Sequence, residues 1–223
     1  MLIRIFDIFF SFLALVFLSP LLILIAIFLK VTGEGEIFYF QKRVGLDEKE
    51  FYLIKFATMM KNSESLGSGT ITIDNDFRIL PFGKILRKTK INELPQILNV
   101  LIGNMSLIGP RPLVRSGYDS YPDNMKHRLS KIKPGLSGIS SIILRNEENI
   151  LSKVNDPIEF HSTVLSSFKA NLEVWYDDRK SLFMYFCLIF ITVWKIFFKE
   201  SKILFLIFKS IPRIPSDLEK YYE

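Results

Sequence analysis

The sequence predicts an α+β protein: a small, mostly helical domain with a short β-hairpin, an apolar helix before it and amphipathic interfacial helices after it. Three observations predict this class. An apolar run occupies residues 5–29, two β-rich runs flank a polar turn near Gly45, and later apolar residues recur with helical spacing. The chain accordingly divides into a membrane segment (1–30), a compact domain (31–180) and an interfacial helix with a tail (181–223).

Composition points to a membrane-associated basic protein. The 223 residues carry 29 Lys and Arg against 23 Asp and Glu, with 49% hydrophobic residues, 21 Phe and a mean hydropathy of +0.26. This balance excludes a disordered chain and indicates surplus apolar surface. The single Cys187 cannot form an internal disulfide, and with only His127 and His161 the chain cannot build a Cys/His zinc site. Any metal must therefore use oxygen ligands.

The N-terminal apolar run is a membrane segment with an interruption near its middle. Its only charge is Asp7, and as a helix it would measure about 37 Å, enough for a bilayer core of about 30 Å. No small-residue cleavage site follows it, which argues against a removed signal peptide. Ser19 and Pro20 predict a kink that separates two half-helices, each too short to span. The pattern fits one kinked span or a hairpin that re-enters on the same side.

The C-terminal apolar region, residues 181–208, is predicted to lie in the membrane interface. Its lysines fall on one face of a helix if the helix is continuous, opposite an apolar face rich in Phe; they are Lys195, Lys199, Lys202 and Lys209. The competing interpretation is a second span. The uncharged part, residues 182–194, gives only about 20 Å of helix, which is short for crossing.

The middle of the chain holds the candidate chemistry. Residues 36–40 and 51–56 predict a β-hairpin, and the polar loop 62–76 is expected to border a site. Helical patterns resume at Pro81, and a helix is predicted over 92–101, ending at Gly103. Asn92 suits the N-cap of that helix, with Pro95 in its first turn. The common nucleotide and hydrolase motifs, including the Walker sequence, are absent.

Arginines in turn-like settings are the strongest candidate ligand-binding residues. Arg87 precedes the predicted helix start, Arg111 lies between two prolines, and Arg145 follows a glycine-containing loop. Rigid turns that present guanidinium groups suit phosphates, because the two match bidentately. A helix start with free amides, an adjacent arginine and the Glu93 carboxylate predicts a site for a phosphate together with a metal ion.

The sequence resembles the monotopic phosphoglycosyl transferases, the bacterial sugar transferase family that loads a sugar phosphate onto polyprenyl phosphate. The matching segments occur in the family's order; they are residues 38–45, 55–59, 86–96, 104–112 and 134–138. The resemblance implies a catalytic domain on the cytoplasmic face of the bacterial inner membrane. It also implies that residues 1–30, with Ser19 and Pro20, form a re-entrant hairpin, and it is compatible with a homodimer.

The same resemblance implies the chemistry of the site. A nucleotide diphosphate sugar, usually a UDP-sugar, reacts with Mg²⁺ as cofactor and releases the nucleoside monophosphate. Membrane lipid and polyprenyl phosphate are the implied partners, and nucleic acid is not. The residues assigned to phosphate and nucleotide-sugar binding are Lys55, Arg87, Arg111 and Arg145, and those assigned to catalysis and to the metal are Asn92 and Glu93.

Two positions depart from the family's pattern. Glu93 matches the glutamate of the family's Asp-Glu dyad, but Asn92 occupies the position of the nucleophilic aspartate, and Ala57 replaces a usual arginine. An amide is a far poorer nucleophile than a carboxylate. Three interpretations stay open: a branch that transfers by another route, a substitution that traps the enzyme, and a homologue that binds without turnover. A membrane-surface scaffold that binds anionic lipid is the alternative outside enzymes.

Overall fold

The structure is a computed structural model that describes residues 2–66, 76–198 and 201–221, and its elements confirm the predicted α+β class. The helices are α1 (Leu2–Thr32), α2 (Pro81–Lys88), α3 (Gln96–Ile102), α4 (Arg115–Asp119), α5 (Asp123–Leu129), α6 (Ile139–Ile143), α7 (Glu147–Leu151), α8 (Pro157–Phe160), α9 (Ser166–Arg179), α10 (Leu182–Phe197), α11 (Ile203–Ile207) and α12 (Ser216–Glu219). The strands are β1 (Phe38–Val44), β2 (Glu50–Phe56), β3 (Ser106–Ile108) and β4 (Gly135–Ser137). Short 3₁₀ turns occupy Leu46–Glu48, Ser63–Ser65 and Ile91–Glu93, and a π-turn occupies His161–Leu165.

Helix α1 runs from Leu2 to Thr32 with Pro20 inside it, and the re-entry of this segment on one side of the membrane stays a prediction. Proline has no amide hydrogen, which leaves the carbonyl of Val16 without its usual donor four residues along the helix. The Ser19 hydroxyl donates to that carbonyl at 2.8 Å and replaces the missing bond. Within the described residues, α1 is the helix long and apolar enough to cross a membrane, judged by length and composition.

Both ends of α1 pack on the same domain. Near its start, the Arg4 guanidinium donates to two carbonyls at the C-terminus of α3, at 2.5 and 2.7 Å. Near its other end, Ile25 and Leu29 are buried in a cluster with Phe56 and Leu86. Apolar side chains between these two contacts are exposed; they include Phe12, Val16, Phe17, Leu21, Ile23 and Leu24. The middle of α1 therefore presents an apolar surface while its ends are fixed to the domain.

Asp7, the one charge in the apolar run, joins three elements. Its Oδ1 accepts hydrogen bonds from the Ser106 hydroxyl at 3.0 Å, the Leu107 amide at 2.9 Å and the Tyr185 hydroxyl at 2.8 Å. The residue is only 2% exposed. A buried carboxylate is tolerated where donors satisfy it, and here the donors come from β3 and α10. Asp7 thus fixes α1 to the strand that leads into the Arg111 segment.

Replacing Asp7 with Ala is expected to destabilise the folded protein by about 3 kcal/mol or more. The substitution leaves the Ser106, Leu107 and Tyr185 donors buried without an acceptor. Chemical unfolding of the full chain in detergent micelles measures the change. Ile8→Ala, at a 43% exposed position one residue along, is the control and should cost less than about 1 kcal/mol. Equal effects of the two substitutions would contradict this role for Asp7.

The predicted hairpin is confirmed and is fixed to α3 by one buried amide. Strands β1 and β2 pair antiparallel, with Phe38 opposite Phe56 and Val44 opposite Glu50. The Asn99 side chain of α3 accepts from the Ile54 amide at 3.0 Å and donates to the Tyr52 carbonyl at 2.8 Å. Because the Asn99 side chain bonds one N–H and one carbonyl of β2, it fixes the position of the hairpin relative to α3.

A second, parallel pair was not predicted from the sequence. Strand β3 pairs with β4, with Ser106 opposite Gly135 and Ile108 opposite Ser137. A Cβ at Gly135 would lie 2.1 Å from the amide nitrogen of Gly109, so only glycine fits this contact. The close approach holds the chain that continues into Arg111 against the loop before α6.

The C-terminal helices share one core with α6 and α9. Leu188 and Ile191 of α10 and Leu218 of α12 are fully buried in it, together with Leu172. Helix α10 ends at Phe197 and α11 begins at Ile203, so the predicted lysine face along one continuous helix is wrong. Lys199 lies outside the described residues. The exposed apolar side chains nevertheless continue along α10 and α11; they include Phe183, Phe190, Ile196, Phe197 and Leu206.

Candidate active site

A cavity of about 1330 Å³ brings the predicted site residues together. Its walls come from the hairpin, the 3₁₀ turn Ile91–Glu93, the segment around Arg111, the loop after α6 and one face of α10. The predicted residues that line it are Lys55, Arg87, Asn92, Glu93, Arg111 and Arg145, whereas Ser19 and Pro20 are not among its lining residues. Parts of the predicted bordering loop also line it, and residues 67–75 of that loop lie outside the described residues.

Asn92 is not the N-cap that the sequence predicted. It lies inside the 3₁₀ turn, and α3 begins only at Gln96, with Pro95 as its N-cap residue. Lys90, in the left-handed region at φ 60°, redirects the chain into this turn. The Asn92 side chain is buried, and among the described residues its Oδ1 has no hydrogen-bond partner. The position therefore presents a neutral acceptor oxygen on the cavity wall.

Glu93 is held between two cations. Its Oε1 lies 2.7 Å from Nη2 of Arg111 and 3.9 Å from Nζ of Lys55, and its Oε2 accepts from Nη1 of Arg111 at 3.4 Å. Burial alone would raise the pKa of Glu93, but the Arg111 and Lys55 charges outweigh it and hold that pKa well below its usual range. Glu93 is ionised at neutral pH and is paired on both oxygens.

The two cations respond to the same carboxylate. Burial lowers the pKa of Lys55 to about 7, with the Arg43 charge adding to the effect and Glu93 opposing it. The Glu93 charge raises the pKa of Arg111 above its ordinary value. Near neutral pH, Arg111 is thus a permanent cation, whereas Lys55 gains or loses its proton with small changes in its surroundings.

Arg87 and Arg145 also line the cavity, and each has guanidinium N–H groups that are not paired with the described residues. Nη2 of Arg87 lies 3.2 Å from Oε1 of Glu148, and Nζ of Lys90 lies 3.6 Å from the same oxygen. Within the described part of the chain, the buried Nε of Arg87 has no hydrogen-bond partner, and no ion pair involves the Arg145 side chain. Both guanidinium groups therefore retain donors for an anionic ligand. Ala57, where the family resemblance leads one to expect arginine, lines the cavity as well.

Four cavity or near-cavity groups were missed by the sequence analysis: Glu147, His161, Lys169 and Glu173. Lys169 lies 2.6 Å from Glu147, and burial raises the pKa of Glu173 to about 7 against the hydrogen bond that it accepts from Ser140. No local motif marks any of them. These residues meet because α7, the π-turn and α9 pack together. The one sequence signal that could have indicated them is the presence of charged residues on otherwise apolar helical faces.

Part of the cavity lining is apolar. It is formed by Ile189, Val193 and Ile196 of α10 with Leu107 and Leu136 of the parallel strand pair. Val193 and Ile196 are also about half exposed, so the cavity opens along the apolar surface of α10. The site therefore combines cations and carboxylates with aliphatic side chains in one cavity.

Comparisons with known proteins place these features in a family context. The profile of the family described as "Bacterial sugar transferase" matches residues 1–199. A UDP-glucose:undecaprenyl-phosphate glucose-1-phosphate transferase of Klebsiella pneumoniae is 34% identical over 203 residues, covering 89% of this chain and 40% of that protein. A UDP-N-acetylgalactosamine-undecaprenyl-phosphate N-acetylgalactosaminephosphotransferase of Aeromonas hydrophila is 37% identical over 139 residues, covering 61% and 33%.

A shorter relative matches along most of its length. The exopolysaccharide production protein ExoY of Sinorhizobium fredii is 34% identical over 165 residues, covering 68% of this chain and 73% of ExoY. The matches to the two larger transferases cover two fifths of their length or less. The family profile, over residues 1–199, spans every residue that lines the cavity.

Proposed function

The chain belongs to the bacterial sugar transferase family, and on that premise we propose that it transfers a sugar 1-phosphate from a UDP-sugar to undecaprenyl phosphate. The observation that carries the proposal is a single cavity lined both by Lys55, Arg87 and Arg111 and by aliphatic side chains of α10. A UDP-sugar needs cations for its diphosphate, and a polyprenyl acceptor needs an apolar surface beside them. A scaffold that binds anionic lipid needs only scattered surface lysines.

The proposed reaction is a direct transfer. A phosphate oxygen of undecaprenyl phosphate attacks the sugar-bearing phosphorus of the UDP-sugar, the bond from that phosphorus to the bridging oxygen breaks, and UMP leaves with that oxygen. The side chains at positions 92 and 93 support this route over a covalent one. Asn92 offers a neutral amide, and Glu93 has both oxygens engaged by Arg111 and a pKa held low, which makes it a weak nucleophile.

In this scheme the protein supplies position and charge. Arg111 and Lys55, oriented by Glu93, neutralise the phosphate oxygens, and Arg87 and Arg145 hold the second phosphate from farther along the wall. Phosphoryl transfer depends mainly on alignment and on neutralising charge, so these groups account for catalysis without an attacking side chain. The low dielectric of the partly buried site strengthens each contact.

The site fits Mg²⁺ as the family's cofactor. The oxygens that would hold it are the unpartnered Oδ1 of Asn92 and the carboxylate of Glu93, which would be shared between Arg111 and the ion. Among the described residues there is no cluster of three or more His, Cys, Asp or Glu side chains able to hold a metal. Mg²⁺ is commonly bound by one or two protein oxygens, with water and substrate phosphates completing its shell. When bound, it would withdraw charge from the phosphates.

Assay of UMP release tests the proposed function. The full chain in detergent or nanodiscs is given undecaprenyl phosphate, Mg²⁺ and, in turn, UDP-glucose, UDP-galactose, UDP-N-acetylglucosamine and UDP-N-acetylgalactosamine. Release of UMP that requires both the acceptor and one of these sugars is the expected result. Binding of the sugars with no release from any member of the panel would instead assign a homologue that binds without turnover.

We propose that the protein lies on one face of the bacterial cytoplasmic membrane, with the middle of α1 and the outer faces of α10 and α11 in the lipid. Both ends of α1 pack on the one domain, and the apolar side chains exposed between them need a nonaqueous surrounding. Tags placed before Arg4 and after Glu223 should therefore both react with an impermeant label from the cytoplasmic side only. Labelling of the two tags from opposite sides would contradict this topology.

A further inference from the structure

A group of polar side chains lines the cavity but has no part in the transfer described above. It consists of Glu147 with its contacts His161 and Lys169, and of Ser141 in α6, which lines the same cavity; we call the four the Glu147 cluster. Oε1 of Glu147 lies 2.6 Å from Nζ of Lys169 and 3.5 Å from Nε2 of His161. Within the described residues, the buried hydroxyl of Ser141 has no hydrogen-bond partner.

The composition of the Glu147 cluster indicates a ligand rich in hydroxyl groups. We propose that it binds the sugar ring of the UDP-sugar, a hexose or an acetamido hexose, by hydrogen bonds to the ring hydroxyls; this inference rests on the function proposed above. A fixed carboxylate accepts from hydroxyls, Lys169 and Ser141 donate to them, and His161 can do either. Cavity-lining groups that lack protein partners are those that a ligand must satisfy.

The location of the cluster agrees with the order of groups in the substrate. Glu148, the next residue after Glu147, lies 3.2 Å from the predicted phosphate-binding Arg87. Glu147 also acts on Arg111: the pKa of Arg111 is raised mainly by the charge of Glu93 and, to a smaller extent, by that of Glu147. In a UDP-sugar the reacting phosphorus carries the sugar directly. A phosphate held by Arg111 and Arg87 therefore places its sugar beside the segment that carries Glu147 and Glu148.

The distribution of rings in the cavity argues against the nucleobase as the occupant. Among the described lining residues, the phenyl and phenol rings are those of Tyr39 and Phe56, both on the hairpin. A uracil ring takes a large apolar ring as its partner, and the hairpin offers such rings, whereas the ring of the Glu147 cluster is the polar imidazole of His161. Carboxylates at the cluster would also repel a second phosphate. The uncharged sugar is the part of the substrate that fits.

The π-turn is the local feature that completes the cluster. It begins at His161, and Oγ of Ser166 donates to the His161 carbonyl five residues back at 2.8 Å. A π-turn carries one residue more than an α-turn and so changes which residue faces a given wall. Burial, with the nearby Lys169 charge, lowers the pKa of His161, so its ring is neutral near pH 7 and retains one donor and one acceptor.

Binding titrations without acceptor test the inference independently of turnover. The probes are UDP and the four UDP-sugars of the panel, titrated into the full chain in nanodiscs. The unmodified protein should bind at least one UDP-sugar more tightly than UDP. Glu147→Gln should weaken that UDP-sugar about tenfold or more, with the binding of UDP within about twofold of the unmodified protein. Comparing the affinities for UDP-glucose and UDP-galactose shows whether the cluster contacts the hydroxyl in which they differ. Comparing each with its acetamido counterpart shows whether the cluster contacts the acetamido group.

Two milder variants and a matched control keep the test decisive. Glu147→Gln leaves the buried Lys169 without its counterion and can impair folding, whereas Ser141→Ala and His161→Gln preserve that pair and should each weaken the same UDP-sugar severalfold. His127→Gln, at the exposed histidine on α5, should change nothing. Three results would overturn the inference. One is that Glu147→Gln weakens the binding of UDP and of UDP-sugar equally; another is that UDP-sugar binds to Ser141→Ala and to His161→Gln as tightly as to the unmodified protein. The third is that the unmodified protein does not bind any UDP-sugar more tightly than UDP. Failure of the proposed function is a separate result, namely binding without UMP release.

Discussion

Replacing Glu93 with Gln is expected to lower kcat for UMP release by roughly 10²- to 10³-fold, the magnitude associated with losing a major electrostatic group from an active site. Gln keeps the shape of the side chain but removes the charge that orients Arg111 at 2.7 Å and Lys55 at 3.9 Å. It also removes the carboxylate that supports the protonated form of Lys55, whose pKa is already lowered to about 7. In the variant this pKa falls further, so a smaller fraction of Lys55 is protonated at a given pH than in the unmodified protein.

The pH dependence separates this explanation from misfolding. Because the protonated form of Lys55 is the active one in this account, the residual activity of Glu93→Gln should rise as the pH is lowered from 8 to 6, and more steeply than that of the unmodified protein. Glu50→Gln, on the exposed hairpin and outside the cavity lining, is the matched control and should keep full activity. A kcat for Glu93→Gln within threefold of the unmodified protein would remove Glu93 from the mechanism.

Replacing Asn92 with Asp is expected to open a covalent route. The two side chains have the same shape, and the cavity already holds Arg111 and Lys55 as counterions, so the new carboxylate is accommodated and ionised. It should attack the sugar-bearing phosphorus, release one equivalent of UMP per protein without acceptor, and leave an acyl-phosphate adduct. Rapid-quench assay of UMP and mass spectrometry of the intact chain measure the two products.

The control for this substitution is Asn104→Asp, which adds the same charge at a position outside the cavity lining. It should give neither early UMP nor an adduct. Absence of both from Asn92→Asp, in a preparation that still binds UDP-sugar, would show that position 92 is not placed for attack and would contradict the geometry described for the 3₁₀ turn.

Local patterns were enough to predict much of the fold. The β-rich runs on either side of Gly45 predict the hairpin, Pro81 marks the first residue of α2, and Gly103, at φ 100°, ends α3. Each of these depends on a few neighbouring residues and on backbone preferences that act within one turn. The candidate phosphate-binding residues were likewise predicted, because turn residues and the family resemblance identify them.

The errors have physical causes that act beyond the local pattern. Asn92 is a good N-cap by composition, but the left-handed Lys90 and the fixed φ of Pro95 place it in a 3₁₀ turn instead. The Ser19 hydroxyl bonds the carbonyl that Pro20 leaves without a donor, so helical residues continue past the proline. The parallel contact of Gly109 with Gly135 joins distant segments, as do the contacts of the Glu147 cluster. Contacts between segments that are far apart in the sequence determine these features, so a short stretch of sequence cannot predict them.

The central claim is that this chain transfers the sugar phosphate directly, with no covalent intermediate at position 92 or 93. The most direct measurement is UMP release by the unmodified protein, mixed first with its preferred UDP-sugar and Mg²⁺ and only later with undecaprenyl phosphate. The account predicts no UMP before the acceptor is added and continuous turnover afterwards. A burst of one equivalent of UMP before the acceptor, with an adduct on Glu93, would contradict it.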